Sequence, residues 1–280
     1  MMKWRNFNVC CTSVAILASL LVPRSVPASA APPEHTAAQS IQFNMYGNEG
    51  LLGPEHYNED VAEHVLGRLQ ARPNIYTISL NEICFSQWSY LYTNYFAGKD
   101  FVALAQWAHP NLNTACGGFG NVVLVRGTSA TWWSAGTFST QGSSTNHGEH
   151  KGWACLTTNY FGISGCAAHT QGADHAKANV QIGQLASVVT PLVQANHALW
   201  VAGDFNLRPW QPSTTSWLMT WYYVLFREGD YPRMQSPAKR STNDYGSPID
   251  YVFRRPATTA GAAYISGTMY SDHHGYQMYN

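Results

Sequence analysis

Three apolar runs in the last third of the chain stop abruptly at polar groups. Val201-Ala202 breaks into Gly203, Asp204 and Asn206. Ile249 leads into Asp250 just ahead of Tyr251-Val252-Phe253, and Ser271 is followed by Asp272 and His273. The apolar part of such a run has to be buried. A buried strand that ends in a carboxylate or an amide delivers that group to the edge of its sheet. A chain built this way needs a well-covered sheet with several strand ends brought to one place.

The rest of the sequence supplies the material. Strands are expected at 41–44, 75–83, 100–107, 120–126, 131–139, 152–160, 163–169, 198–205, 249–253, 262–266 and 275–279, separated by clusters of Gly, Asn and Ser. Helices are expected at three places. Over 58–70, Val61, Val65, Leu66 and Leu69 share one face, Asn58 can cap the start and Pro73 lies past the end. A second is read over 85–95. The third spans 174–195, with Ala178, Ile182, Leu185, Val188 and Val189 as its apolar face and Pro191 in its last turn. The tract from Leu207 to Ser247 is irregular and rich in Trp, Pro and Arg. Strand–helix alternation mixed with runs of consecutive strands implies an α/β fold in which two mixed sheets pack together with helices outside, a four-layer α/β/β/α sandwich.

The first thirty residues read as an export signal and not as part of the fold. Lys3 and Arg5 precede an apolar stretch from Val14 to Val22, and Ala28-Ser29-Ala30 is a small-x-small cleavage pattern. The rival reading, a membrane anchor, asks for an apolar run of about 20 residues. Cleavage after Ala30 leaves a flexible segment at 31–40 and one catalytic domain at 41–280, expected to be secreted. Without Lys3, Arg5 and Arg24 the balance is 13 basic against 16 acidic residues, or −3. Proteins that hold nucleic acid by charge alone are strongly basic, so a polyanionic substrate here calls for a bound cation. Four cysteines remain beyond the leader, Cys84, Cys116, Cys155 and Cys166. An even number in an exported chain implies two disulfides. Cys155 and Cys166 lie in successive strand-like runs joined by a short turn, which favours pairing them and leaves Cys84 with Cys116.

Collected together, the polar residues that end apolar runs are Asn44, Glu82, His169, Asp204, Asn206, Asp250, Asp272 and His273. One Asp after a strand is ordinarily a turn former or a cap. Four carboxylates, two amides and two imidazoles are the inventory that hydrolysis of a phosphate ester needs. Carboxylates hold a hard cation, an imidazole or carboxylate activates water, and amides steady phosphate oxygens. His147-Gly148-Glu149-His150 also has metal-binding residue types, but its Gly-, Ser- and Asn-rich surroundings read as a solvated loop. Asp60 and His64, four apart on a helix, read as an exposed pair.

Seven segments in order carry a family resemblance: Phe43-Asn44 to Asn48, Ser79-Leu80-Asn81-Glu82, Gly120-Asn121 to Arg126, Ala167-Ala168-His169-Thr170, Gly203-Asp204-Phe205-Asn206, Ile249 to Phe253, and Ser271-Asp272-His273. The chain resembles the endonuclease/exonuclease/phosphatase superfamily, the deoxyribonuclease I-like fold. The resemblance implies a metal-dependent phosphoesterase using Mg²⁺ or Mn²⁺, with Ca²⁺ as a further option. It implies that Glu82 binds the metal assisted by Asn44, with Asp272 on the metal side or hydrogen-bonding beside His273. Asp204 and Asn206 orient the attacking water and the phosphate. His273 acts as general base with Asp250 fixing its tautomer, and His169 contacts the phosphate and protonates the leaving group. Phe119 stands where several relatives have a phosphate-touching tyrosine, so one donor is missing. After Ser271-Asp272-His273 the chain continues with His274, where the family commonly has a proline.

The resemblance leaves the substrate open. A secreted nuclease acting on DNA or RNA is the preferred reading. Arg208, Arg227, Arg233, Lys239, Arg240, Arg254 and Arg255 can track a phosphate backbone, and Trp210, Trp217, Trp221 and Tyr222 can stack bases. The alternative is a sphingomyelinase or phospholipase C-like enzyme that takes a lipid headgroup, with Trp132-Trp133 as its membrane wedge. A catalytically dead binding protein should have lost one of the eight residues, and all are present. Nothing in the sequence calls for more than a monomer.

Overall fold

Alternation of inward and outward side chains organises the molecule. The computed structural model describes residues 39–46, 59–70, 74–109, 116–141, 149–172, 174–195, 198–208, 227–228, 241–255, 263–265 and 271–278. Its strands are β1 (Gln39–Asn44), β2 (Ile75–Cys84), β3 (Phe101–His109), β4 (Phe119–Arg126), β5 (Ala130–Thr137), β6 (Gly152–Thr158), β7 (Ser164–His169), β8 (Leu199–Asp204), β9 (Arg227–Glu228), β10 (Asp250–Arg255), β11 (Ala263–Ile265) and β12 (Tyr276–Met278). They form two six-stranded sheets, ordered β11-β12-β1-β2-β4-β3 and β5-β6-β7-β8-β10-β9. Each sheet holds one parallel pair, β1–β2 in the first and β7–β8 in the second. Parallel neighbours need a crossover. Helix α1 (Glu59–Gln70) lies between β1 and β2, and α3 (His175–Gln194) between β7 and β8, so the two halves repeat one design.

Three apolar clusters fill the four layers. Outward-facing Ile41, Phe43, Ile78, Leu80, Val122 and Leu124 pack with Val61, Val65 and Leu69 of α1 and with Leu91 of α2 (Phe85–Leu91). On the other flank, Cys166, Ala168, Leu199, Val201, Tyr251 and Phe253 pack with Ala178, Ile182, Leu185 and Val189 of α3. Between the sheets lie Val123, Val125, Ala154, Leu156, Ala167, Trp200, Ala202 and Val252. Truncating one of these leucines, such as Leu185, is expected to cost about 2–5 kcal/mol. Asp174 caps α3 by accepting a hydrogen bond from the Lys177 N–H at 3.1 Å.

The sandwich fits the sequence pattern, with differences in detail, among them a short strand, β9, inside the tract read as irregular. The helix expected over 85–95 is α2 followed by one π-helical turn at Tyr92–Phe96. Strand β5 ends at Thr137, two residues early. His64, read as exposed, is half-buried and its ring lies tilted against Phe43 with centroids 6.3 Å apart. The leader at 1–30, the segment up to 38, His147, and Trp210, Trp217, Trp221, Tyr222, Arg233, Lys239 and Arg240 lie outside the described residues. Among the described residues no helix is long and apolar enough to cross a membrane.

Both disulfides pair as read from the sequence, Cys84 with Cys116 and Cys155 with Cys166. Cys155 and Cys166 are direct partners across β6 and β7. Gly203 pairs with Ala168 across the parallel strands, and a Cβ there would lie 1.9 Å from the Ala168 carbonyl oxygen. Only glycine lets β8 approach β7 that closely, which explains the glycine that precedes Asp204.

Candidate active site

The strands that turn Val123, Ala167, Ala202 and Val252 into the inter-sheet core turn Asn121, His169, Asp204 and Asp250 the same way, two residues further toward one end. The period of two therefore converts the end of an apolar core into a ring of polar groups. Nearly all are fully buried. Asn44 joins them from the end of β1. Its Nδ2 donates to Asp204 Oδ2 at 3.2 Å, and its Oδ1 accepts from the Tyr46 N–H at 3.0 Å.

Beneath this ring runs a row of four amides across the first sheet. Gln42 on β1 donates to Asn81 Oδ1 (3.2 Å) and to Asp250 Oδ1 (2.9 Å). Asn81 on β2 donates to Asn121 Oδ1 (2.8 Å) and to the Ala168 carbonyl (3.1 Å), while its Oδ1 also accepts the Asp204 N–H (3.0 Å). Asn121 on β4 donates to Gln106 Oε1 on β3 at 2.7 Å. The Asn81 side chain thus makes four hydrogen bonds, the full complement of an amide. It ties two strands of the second sheet, β7 and β8, to the first, and Gln42 ties a third, β10. The sequence pattern gave no role to Gln42, Asn81, Asn121 or Gln106.

Glu82 should face outward by strand alternation, since Asn81 faces in. A break in the β2–β4 register between Leu80 and Ile83, with Glu82 at φ +50°, turns it toward the site. A left-handed backbone at a glutamate is uncommon and costs energy, and such residues gather at functional sites. Asn206 has φ +51°, a conformation asparagine tolerates better. Its N–H donates to Asp204 Oδ1 (2.9 Å) and its Nδ2 to the Thr170 carbonyl (2.8 Å), leaving one amide hydrogen for a ligand.

His273 arrives on a tied turn. The Ser271 hydroxyl donates to the Asn44 carbonyl at 2.9 Å and accepts the His273 N–H at 3.1 Å. His273 Nδ1 then lies 2.8 Å from Asp250 Oδ2, and its Nε2 lies 3.6 Å from Asp204 Oδ2. His169 is arranged in parallel. Its Nδ1 is 3.4 Å from Glu149 Oε1, and its Nε2 is 3.6 Å from Asp204 Oδ2 and 3.5 Å from Glu82 Oε1. One carboxylate oxygen thus sits between two imidazoles, each backed by an acid at its other nitrogen. Asp272 stands to one side, with Oδ1 3.9 Å from His273 Nε2.

One residue of this site corrects the sequence reading, and its neighbour had none. Glu149 is buried beside His169, not in a solvated loop, whereas His150 is exposed. Lys151 is buried with it, Nζ 2.5 Å from Glu149 Oε1. The Cys155–Cys166 pairing held the missing signal. Three residues back from Cys155 and three on from Cys166, Gly152 meets His169, so Lys151 lies beside it. Arg254 and Arg255 pair with Trp200 and Leu199 at the opposite end of β10 from Asp250. At about 3.3 Å per residue they are more than 12 Å from the site, and they do not join a patch around it. Phe119 is buried against the Cys84–Cys116 bridge and Ala108.

The charges are strongly coupled. Burial pushes Glu82 up to about 7 against the nearby Lys151 charge, with Glu149 adding to the rise. Burial and then the Asp250 carboxylate likewise raise Asp204 to about 7. Burial alone would lower His273, but the carboxylates of Asp250, Asp204 and Asp272 together carry it up to about 10. His169 falls well below its usual range through burial and the positive charges of Lys151 and His273. At neutral pH His273 is charged and His169 neutral. Burial also raises Asp272.

The donors suit a hard divalent cation. Glu82, Glu149 and His169 offer ligand atoms within 4.8 Å of one another, as do Asp204, Asp250 and His273. Carboxylates that burial makes costly to ionise gain from a cation that neutralises them. The second set is largely occupied internally, because Asp250 already serves His273 and Gln42.

Comparison with known proteins identifies the family and the fold. Residues 41–273 match the sequence family described as "Endonuclease/Exonuclease/phosphatase family". Among solved structures, an endonuclease/exonuclease/phosphatase from Beutenbergia cavernae is similar at 20% identity and TM-score 0.62, covering 87% of this chain and 71% of that one. Truncated TDP2 from Caenorhabditis elegans is similar at 12% identity and TM-score 0.63, over 87% and 97%. The human Nocturnin catalytic domain with bound sulfate is similar at 12% identity and TM-score 0.59, over 87% and 93%. No curated protein sequence matches the chain.

Proposed function

Since the chain belongs to the endonuclease/exonuclease/phosphatase family, we propose that it is a secreted, divalent-metal-dependent phosphodiesterase, and most specifically a nuclease that hydrolyses DNA or RNA. The observation that carries the chemistry is Asp204 Oδ2 held 3.6 Å from the Nε2 atoms of both His169 and His273. A phosphate that replaces the mutual contacts of these groups meets a base on one side and a hydrogen-bonding imidazole on the other.

Water attacks phosphorus, the P–O bond to the leaving group breaks, the water's proton passes to the enzyme, and the leaving oxygen takes up a proton from solvent. His273 is the strongest base of the set and takes the water's proton at Nε2. Asp250 keeps its own proton contact at Nδ1 and stabilises the cation that forms. His273 starts with a proton on Nε2, and that proton passes to solvent before the nitrogen accepts the one from the attacking water. Glu82, with Asn44 beside it, would hold a Mg²⁺ or Mn²⁺, which when bound would supply positive charge to the site and polarise the phosphate. Asn206 steadies a phosphate oxygen with its remaining amide hydrogen. His169, neutral and backed by Glu149, contacts the phosphate near the leaving oxygen. Asp272 supports the charge on His273.

Export is supported by the leader-like first thirty residues and by the two disulfides. A second reading, release of a phospholipid headgroup, draws on Trp133. Its neighbour Trp132 packs into the core under α3, while Trp133 is 65% exposed on β5 and suits an interfacial contact. Plasmid DNA, RNA and sphingomyelin liposomes, offered side by side to the purified mature protein with Mg²⁺, separate these readings. Cleavage of either nucleic acid is expected. Cleavage of the liposomes alone overturns the nuclease reading, and hydrolysis of none overturns both.

A further inference from the structure

Lys151 has the chemistry of a site residue and no place in the mechanism above. Its side chain is 9% exposed, beside Glu149 at 5%. Nζ lies 3.2 Å from His169 Nδ1 and 3.0 Å from Nε2. Near-equal distances to both ring nitrogens put the ammonium off the lone-pair axis of either. The imidazole therefore keeps both hydrogen-bonding positions, and the short contact of Lys151 is with Glu149. Its charge also reaches Glu82, where it is the strongest influence opposing burial.

The three groups around this ammonium are the ones whose ligand atoms lie within 4.8 Å of one another, Glu82, Glu149 and His169. A cation is already in that cluster, and it is covalently attached. Entry of a divalent ion between Glu149 and His169 requires expelling a buried ammonium, or placing two more positive charges within a few ångströms of it. Like charges a few ångströms apart in a buried site repel strongly. Glu82 is the outermost of the three at 12% side-chain exposure, against 5% for Glu149 and 2% for His169.

We propose that Lys151 is a positioning residue whose ammonium acts as the built-in counter-ion of Glu149, so that the site accepts a single divalent ion, at Glu82. The inference rests on the metal-dependent reading of this site. It makes Glu149 a partner of Lys151 and His169 and not a metal ligand.

Mn²⁺ binding to the full-length protein, followed by the electron paramagnetic resonance of free Mn²⁺ and by calorimetry, tests it without any turnover. The wild type is expected to bind one ion per chain. Lys151→Met is expected to bind two, and Lys151→Arg, which restores the charge, one. Two ions in the wild type, or one in folded Lys151→Met, overturns the proposal. Glu149→Gln decides the matter independently if Lys151→Met does not fold. It is expected to change Mn²⁺ affinity less than threefold, and a loss greater than tenfold makes Glu149 a ligand and overturns the proposal. Absence of any Mn²⁺ binding by the wild type overturns the metal-dependent reading itself, which distinguishes that failure from this one.

Discussion

Asp204 and Asp250 face each other as direct cross-strand partners on β8 and β10. Two carboxylates in that relation repel, and the Asp250 charge is part of what raises Asp204. The fold offsets the repulsion by giving each a different neighbour. Asp250 takes His273 and Gln42, and Asp204 takes Asn44 and the Asn206 N–H. One of the pair is committed to an imidazole while the other stays available.

Asp250→Asn removes the carboxylate that makes His273 basic. Turnover of a bis-aryl phosphodiester is expected to fall by at least ~10²-fold, the scale of a lost acid–base contribution. The rising limb of the pH–rate profile is expected to move to lower pH, because His273 then binds its proton less tightly. An unshifted limb removes His273 from the role of base.

His273→Ala and His169→Ala are each expected to lower kcat by ~10²-fold or more in the same assay. Circular dichroism should show the fold intact. A near-normal rate in either variant rejects that residue's role.

EDTA is expected to abolish hydrolysis, and Mg²⁺ or Mn²⁺ to restore it, with Ca²⁺ tested alongside. Glu82→Gln is expected to raise the Mn²⁺ concentration needed for half-maximal rate by more than tenfold. Full activity in chelator sinks the metal requirement.

In EDTA, thermal stability is expected to fall as the pH rises from 7 toward 10. His273 holds its proton up to about 10 in the folded chain, against 6.5 for an ordinary imidazole. The stability this contributes is complete below 6.5 and is lost as the pH climbs through the folded value. His273→Gln should flatten the dependence of Tm on pH over that window; an unchanged slope rejects the assignment.

Asn81→Ala deletes four buried hydrogen bonds at once. Stranding partners of this kind costs about 1–3 kcal/mol each. A loss of at least about 3 kcal/mol in urea unfolding is expected, and a loss under 1 kcal/mol shows that the amide row is not structural.

Most of the architecture was legible because burial leaves a period. Trp200, Ala202 and Asp204 share a face, so an apolar run that ends in a carboxylate tells where the carboxylate points. His169 and Asp250 follow from the same rule. Glu82 did not, because its direction depends on a left-handed residue in a register break, and no side-chain pattern records a backbone angle. Glu149 was misread since local composition, Gly-, Ser- and Asn-rich, says nothing about what a distant strand brings against it. Asn81 and Gln42 looked like the polar half of an alternating strand. The face they occupy is interior, and only the second sheet makes it so.

The row of four amides also bears on how such a molecule can diversify. Apolar packing tolerates exchanges of similar volume, because it has no direction. A hydrogen-bonded row has direction, and altering one member leaves its neighbours facing nothing. Gln42, Asn81, Asn121 and Gln106 should therefore be the least permissive positions in a saturation library, less so than the surrounding valines and leucines. Variation that changes what the molecule recognises then has to come from segments leaving the strands. In the proposed phosphodiesterase, the floor would decide where a phosphate rests, and the rim would be free to decide which molecule brings it.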